Sequence, residues 1–350
     1  MEIKKNYNFS LDKFINLSLY NNKFGYYMKK NPFGKNGDFI TAPNISRLFS
    51  EMIAIWIFSF WQSLGSPKKF NLIELGAGNG EMMKDLIETF QRFPVFFRSC
   101  NFIIHEKSPS LTKFQKKKLI KSKIKWISKI NKIKKTPCIF IANEFFDALA
   151  IKQFEKKKNS WFEKFVSFKN SNKAFFFEKK IDIKKVEKKI NFKISHNQNF
   201  IEFPELGLNY LDNISQIIKK NKGGLLIIDY GYTEKKMKDT LQAISNHKFS
   251  NVLENIGDSD ITHNISFNLF EKFIKHMRGL ESFLTTQREF LIKMGIKQRA
   301  EIISKNKSFS KKADIFYRLN RLIDEKQMGH LFKVMFIKNK NNKFKLGFKN

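Results

Sequence analysis

Phe70-Asn71-Leu72-Ile73-Glu74-Leu75-Gly76-Ala77-Gly78-Asn79-Gly80 is the stretch on which the fold turns. A short apolar run leads into an acid, glycine then recurs at every second position, and Glu81–Phe90 follows with the spacing of an amphipathic helix. Glycine permits the tight turn and lets a ligand come close to the backbone. The helix that opens behind it offers free N–H groups and positive partial charge, where a carboxylate of a ligand fits. Strand, glycine turn and helix in that order predict the opening unit of a nucleotide-binding α/β sheet. A dinucleotide fingerprint spaces its glycines G-x-G-x-x-G, whereas here the third glycine arrives one residue early.

Working outward, strands are expected at Phe70–Glu74, Asn101–Glu106, Ile124–Ile127, Cys138–Ala142, Leu225–Asp229 and His330–Ile337. Helices at Glu81–Phe90, Ser110–Ile120, Leu208–Lys220, Asn268–Met277 and Glu289–Met294 alternate with them, which is the pattern of a mostly parallel sheet. Residues 153–222 read as an insertion. Its early part alternates aromatic and charged residues through Phe177, as antiparallel strands do. Residues 1–66 form an N-terminal helical cap region, with periodicity at Ser10–Leu19 and Ile45–Leu64 around the Gly-, Pro- and Asn-rich loop Lys30–Asn44. The nucleotide-binding core is expected over 67–337, and the polar, basic tail 338–350 is expected to fray.

The 350 residues carry a net charge of +34, which invites a nucleic-acid reading. Only eight of the 66 basic residues are arginines, and the lysines are dispersed among many Asn, Ile and Phe. That mix favours solvated faces over a selected binding stripe, so a nucleic-acid partner is not expected. The apolar run Met52–Trp61 is too short to span a bilayer, and no membrane insertion is expected. Two cysteines, Cys100 and Cys138, cannot build a metal cluster, no H-x-x-x-H pair or G-x-S-x-G elbow is present, and no metal is expected. With no leader pattern at the N-terminus, a reducing cytoplasm is the simplest expected home.

After the fourth strand comes Asn143-Glu144-Phe145-Phe146-Asp147-Ala148-Leu149. Open α/β sheets bind ligands outside the carboxyl ends of their strands, which puts Asn143, Glu144 and Asp147 at the reacting end. Glu144 and Asp147 are three apart and would share a face on a helical turn, where two carboxylates can hold a guanidinium or ammonium. The competing reading makes Asp147 a helix cap and Glu144 a solvated side chain.

Glu74-x-Gly-x-Gly-x-Gly resembles motif I of S-adenosylmethionine-dependent methyltransferases. The chain as a whole resembles the MidA-type family, which includes arginine methyltransferases that assist assembly of respiratory complex I. The resemblance rests also on Gly25-Tyr-Tyr, Gly37-Asp38-Phe39-Ile-Thr41-Ala-Pro43, Asn143 to Leu149, Asp229-Tyr-Gly231, Asp239 to Ala243, Gly257-Asp-Ser-Asp260-Ile-Thr-His263 and Gly329 to Val334. These runs span about residues 20 to 337, in order. Ala77 stands where the family usually carries proline, and Asn79 where it often has arginine.

The resemblance implies a Rossmann-like, seven-stranded class I methyltransferase sheet with an N-terminal helical cap and an inserted β-rich subdomain. It implies S-adenosyl-L-methionine as cofactor, held by Glu74, Gly76, Ala77, Gly78, Asn79, Gly80 and Asn143. Glu106 would accept from the ribose hydroxyls and Asp38 would fold over the site. It implies methyl transfer to an arginine of a partner protein, a complex I subunit being the family's best-known client, with Glu144, Asp147 and His263 in the catalytic roles. For His263 a bond to a backbone carbonyl competes with a proton relay. Two other readings stay open: an RNA methyltransferase, and an assembly chaperone that binds the cofactor without catalysis.

Overall fold

The computed structural model describes residues 7–29, 41–120, 122–130, 133, 136–168, 173–245 and 248–349. The chain divides into two compact units. One gathers Asn31–Phe145, Asp212–Gly231 and Ile274–Asn350, and the other gathers Met1–Lys30, Phe146–Leu211 and Tyr232–Phe273.

In the first unit the main sheet runs through seven strands, which we number in chain order. They are β1 (Phe70–Leu75), β2 (Cys100–His105), β3 (Ile124–Ile127), β4 (Cys138–Asn143), β5 (Gly223–Tyr232), β6 (Leu280–Thr286) and β7 (Phe332–Asn339). Their spatial order is β3-β2-β1-β4-β5-β7-β6. β1 to β5 pair in parallel, while β7 lies antiparallel against both β5 and β6. β1 and β4 are buried at every position, as strands covered on both faces must be. The strand order reverses between these two, so the crevice at their carboxyl ends is the switch point where such sheets take ligands.

Four of the expected strands of this sheet lie where the sequence places them, within a residue; β5 extends two residues before and three beyond the expected Leu225–Asp229, and β7 begins two residues later than expected. β6, reading Leu-Glu-Ser-Phe-Leu-Thr-Thr, was not expected. It is mostly half-buried and carries polar residues in two pairs, Glu281-Ser282 and Thr285-Thr286, so neither an apolar run nor an alternation announces it. The tail does not fray. Trp56, on helix Arg47–Ser63, donates its indole N–H to Leu346 O at 3.0 Å. Phe348 lies among Phe283, Phe290 and Phe336, with ring centroids 5.6–6.1 Å apart. Burial of Phe344 and Phe348 outweighs the polar character on which the expectation rested. At the head of the tail, Lys338 is fully buried, ion-paired to Glu281 opposite it on β6 and set 5.0 Å from the Phe283 ring centroid.

In the second unit the inserted residues form an antiparallel sheet. The long strand Ser160–Phe168 pairs along one edge with Ala174–Ile181. Its other edge pairs with Lys152–Lys157, which in turn pairs with Phe200–Phe203, and with Tyr7–Ser10. The N-terminal strand was not expected. Its pairing is why packing divides the first 66 residues: helix Leu11–Tyr20 sits with the inserted sheet, and helix Arg47–Ser63 with the main one. A small sheet of Gln242–Ser245, Lys248–Ser250 and Asp260–Thr262 completes this unit.

Phe348→Ala tests the docked tail. It should lower stability by about 3 kcal/mol, as loss of a buried aromatic does, read as an earlier midpoint in urea. A midpoint equal to that of the parent chain would mean that the tail carries no stability.

Candidate functional site

The turn after β1 is built from left-handed glycines: φ is +63° at Gly76, +52° at Gly78 and +75° at Gly80. A Cβ on Gly76 would lie 2.8 Å from the ring of Phe145, which packs over the loop. Ala77, where the resemblance expects proline, turns its methyl into the core. Asn79 accepts from Glu81 N at 3.2 Å and donates to Asn44 Oδ1 at 2.7 Å. It thereby secures the first turn of helix Glu81–Phe90, a job that arginine would not do.

Glu106 follows the last residue of β2. Its carboxylate accepts from Ser108 N at 2.9 Å and from Gln115 Nε2 at 3.1 Å, and the same Gln115 amide donates to Gly78 O at 2.9 Å. Trp126 Nε1 holds the Gln115 carbonyl at 3.0 Å. Gln115 therefore ties the acid to the glycine loop, and nothing in the sequence pattern singled it out. Burial raises the Glu106 pKa against these bonds.

Glu74 is buried, and its Oε2 has no hydrogen-bond partner among the described residues. Burial, and then the charge of Glu106, push its pKa up to about 8. The buried Oδ1 of Asn143 likewise lacks a partner among the described residues. Glu74 pairs in register with Ile141 and Leu75 with Ala142, so both orphaned acceptors belong to the carboxyl ends of neighbouring strands. Buried acceptors left so are costly, and a ligand bringing N–H donors to the glycine turn relieves that cost.

Beyond β4 the backbone does not form the expected helical turn. Glu144 adopts φ +51°, and residues 144–150 are bends and turns. A left-handed residue cannot continue a right-handed helix, so the shared-face argument for Glu144 and Asp147 fails and Asp147 caps no helix. The left-handed geometry is held from both sides. Glu144 N donates to Ile228 O at 2.9 Å, and Phe145 N donates at 3.2 Å to the fully buried carboxylate of Asp229, which also accepts from Tyr230 N. The Glu144 carboxylate accepts from Ala42 N at 3.3 Å and from Asn143 Nδ2 at 3.0 Å. Strain so over-determined is characteristic of functional loops.

The second unit holds the remaining candidates. Asp147 and His263 are buried, and His263 N donates to Asp147 O at 3.1 Å. The His263 Nδ1 lies 3.3 Å from Asn264 O, the backbone contact anticipated above. Burial lowers the His263 pKa while Asp147 pulls it upward. Tyr27 donates its hydroxyl to both oxygens of buried Asp260, at 2.9 and 3.0 Å. The runs containing Tyr27 and Asp260 meet closely, since a Cβ on Gly257 would lie 2.2 Å from Phe24 O. Asp38 lies outside the described residues. The structure thus gathers Glu74, Gly76 to Gly80, Glu106, Asn143 and Glu144 in one unit and Asp147 with His263 in the other.

The raised pKa of Glu74 has a testable sign. A carboxyl with folded pKa near 8, against 4.5 when exposed, stabilises the fold in its protonated form, and that stability is lost as pH rises through 8. Glu74→Gln cannot ionise, so it should melt above the parent chain at pH 9 and converge with it below pH 5. The difference is on the order of 5 kcal/mol at most. A gap in melting temperature that does not vary with pH would place the ordinary carboxylate pKa at this site.

A family model described as S-adenosyl-L-methionine-dependent methyltransferase matches residues 52–286. The "Protein arginine methyltransferase NDUFAF7 homolog, mitochondrial" of Caenorhabditis elegans is 30% identical over 298 residues, covering 79% of this chain and 70% of that protein. Human "Protein arginine methyltransferase NDUFAF7, mitochondrial" is 28% identical over 338 residues, 88% of this chain and 75% of that one. Among solved structures, a superfamily member from Burkholderia thailandensis bound to S-adenosyl-homocysteine shares the fold with a TM-score of 0.82 at 19% identity, across 97% of this chain and 90% of that one. The relatives' names say mitochondrial, which overturns the expected cytoplasmic home. Free cysteines report a reducing medium and not the compartment that supplies it. Glycine turn, strand order and matched span agree: the chain belongs to the S-adenosyl-L-methionine-dependent methyltransferases, and S-adenosylmethionine is its cofactor.

Proposed function

We propose that this enzyme methylates an arginine side chain of a partner protein. The observation that carries the reading is Glu144, a carboxylate locked in a left-handed turn at the carboxyl end of β4, one residue past the orphaned acceptor of Asn143. The relatives named protein arginine methyltransferases support the same substrate class. A subunit of respiratory complex I is the client that the family resemblance suggests.

Within this reading Glu74, Asn143 and the backbone of Gly76-Ala77-Gly78-Asn79-Gly80 receive the amino-acid end of the cofactor, and Glu106 accepts from its ribose hydroxyls. Asp38 is assigned to the cover of the site on resemblance alone. When bound, S-adenosylmethionine supplies an electrophilic methyl on a sulfonium. Glu144 orients the guanidinium and concentrates its positive charge on the nitrogens that do not react. The guanidinium proton leaves readily only as the new bond forms, so Glu144 need not be a strong base. Asp147, on the loop that continues from Glu144, is assigned the role of a second carboxylate, and His263, after strand Asp260–Thr262, that of a proton acceptor.

Glu144→Gln keeps the shape and removes the charge. It should leave cofactor affinity by calorimetry intact while transfer falls on the order of a hundredfold or more. Gly78→Val should do the reverse, staying folded while cofactor binding is lost, because a branched residue resists positive φ. Asp147→Asn should slow transfer without moving the melting temperature if its charge is used. Near-normal transfer by Glu144→Gln would sink the arginine reading, as would methyl-lysine or methylated nucleotide in place of methyl-arginine by mass spectrometry.

A further inference from the structure

Helix Phe309–Ile323 buries one face, through Leu319, Leu322 and Ile323. A second apolar stripe faces solvent: Phe309 is 89% exposed, Tyr317 64% and Phe316 38%, with exposed Ala313 between them. Offsets of four, seven and eight residues place these four side chains along one side of the helix, about 12 Å long at 1.5 Å per residue. None of them covers this chain's own core.

The surroundings are basic. Lys305 and Lys307 lead into the helix and Lys311 and Lys312 stand on its first turn, all exposed. Of the nearby acids Glu301 and Asp314, the second is paired with Arg318 at 2.8 Å. The free N–H groups of the first turn add positive partial charge. Exposed aromatics flanked by lysines on an amphipathic helix are the composition of an element that lies in a membrane interface, with rings at the acyl boundary and ammonium groups among phosphates. An aromatic as exposed as Phe309 suits a fluid medium, which closes around it without a preformed pocket.

We propose that the stripe Phe309–Ala313–Phe316–Tyr317, with its lysines, docks this methyltransferase on an anionic lipid surface. Binding is peripheral, since among the described residues no helix is long and apolar enough to cross a membrane. The proposal does not depend on the arginine substrate.

The full chain is sedimented with vesicles of phosphatidylcholine alone and with vesicles in which a quarter of the lipid is phosphatidylserine. Binding to the second kind only is expected. Because a net charge of +34 attracts any anionic surface, the deciding variant is charge-neutral: Phe309→Ser with Tyr317→Ser should weaken binding roughly tenfold or more at an unchanged melting temperature. A second variant, Lys311→Glu with Lys312→Glu, should weaken binding and flatten its dependence on salt. No vesicle binding by the parent chain overturns the proposal. So does equal binding by the serine variant, which would leave diffuse charge as the whole attraction. Retention of an acidic protein on this stripe without vesicle binding would assign the face to a protein partner.

Discussion

The parallel pairing of Phe70–Leu75 with Cys138–Asn143 is the constraint on which the rest of the molecule depends. Both strands are buried on both faces, so all their side chains but a few are apolar, and every polar function must wait for the strand ends. Because the strand order reverses at this pair, the chain leaves the two carboxyl ends in opposite directions and a crevice opens there. Glu74, the glycine turn, Asn143 and Glu144 all stand at that opening. None was free to stand elsewhere without breaking the pairing.

Charge is distributed with a consistent logic. The many lysines lie mostly on exposed surface, where water solvates them, whereas Glu74 and Asp229 are buried and Glu106 and Glu144 half-buried. Glu74 is pushed toward its neutral form by burial and by Glu106, while Asp229 spends its charge on two backbone N–H groups and so sets the path of the loop carrying Glu144. At physiological salt, charges beyond about 10 Å are largely screened, so a basic surface does not prevent an acidic centre from selecting a cationic side chain.

The second unit shows the same economy in its loops. Buried Glu202 accepts from Gln153 Nε2, Thr240 N and Leu241 N at 2.9–3.1 Å and from the Thr240 hydroxyl, fixing the run that begins at Asp239. Asp260 likewise accepts from the Tyr27 hydroxyl, which comes from a segment more than two hundred residues earlier. Each loop is organised by a single desolvated carboxylate whose acceptor capacity is met by nearby donors.

What the sequence determined by itself was local. Apolar runs of four to six residues announced five of the main strands, the glycine spacing announced the turn after Glu74, and the acid at the end of the second strand marked Glu106. Each of those signals is contained within a dozen residues, and periodicity and glycine chemistry carry it. Tertiary structure alone decided what depended on distant partners. Leu280–Thr286 became a strand because Phe332–Asn339 offered it an edge, and Tyr7–Ser10 because Ser160–Phe168 did. The polar tail docked because Trp56 and Phe336 left room for Phe344 and Phe348. Three-residue spacing suggested a helical turn from Glu144 to Asp147, yet the backbone is left-handed at Glu144. Asp229, eighty-four residues beyond Phe145, accepts from Phe145 N and so helps to hold that turn.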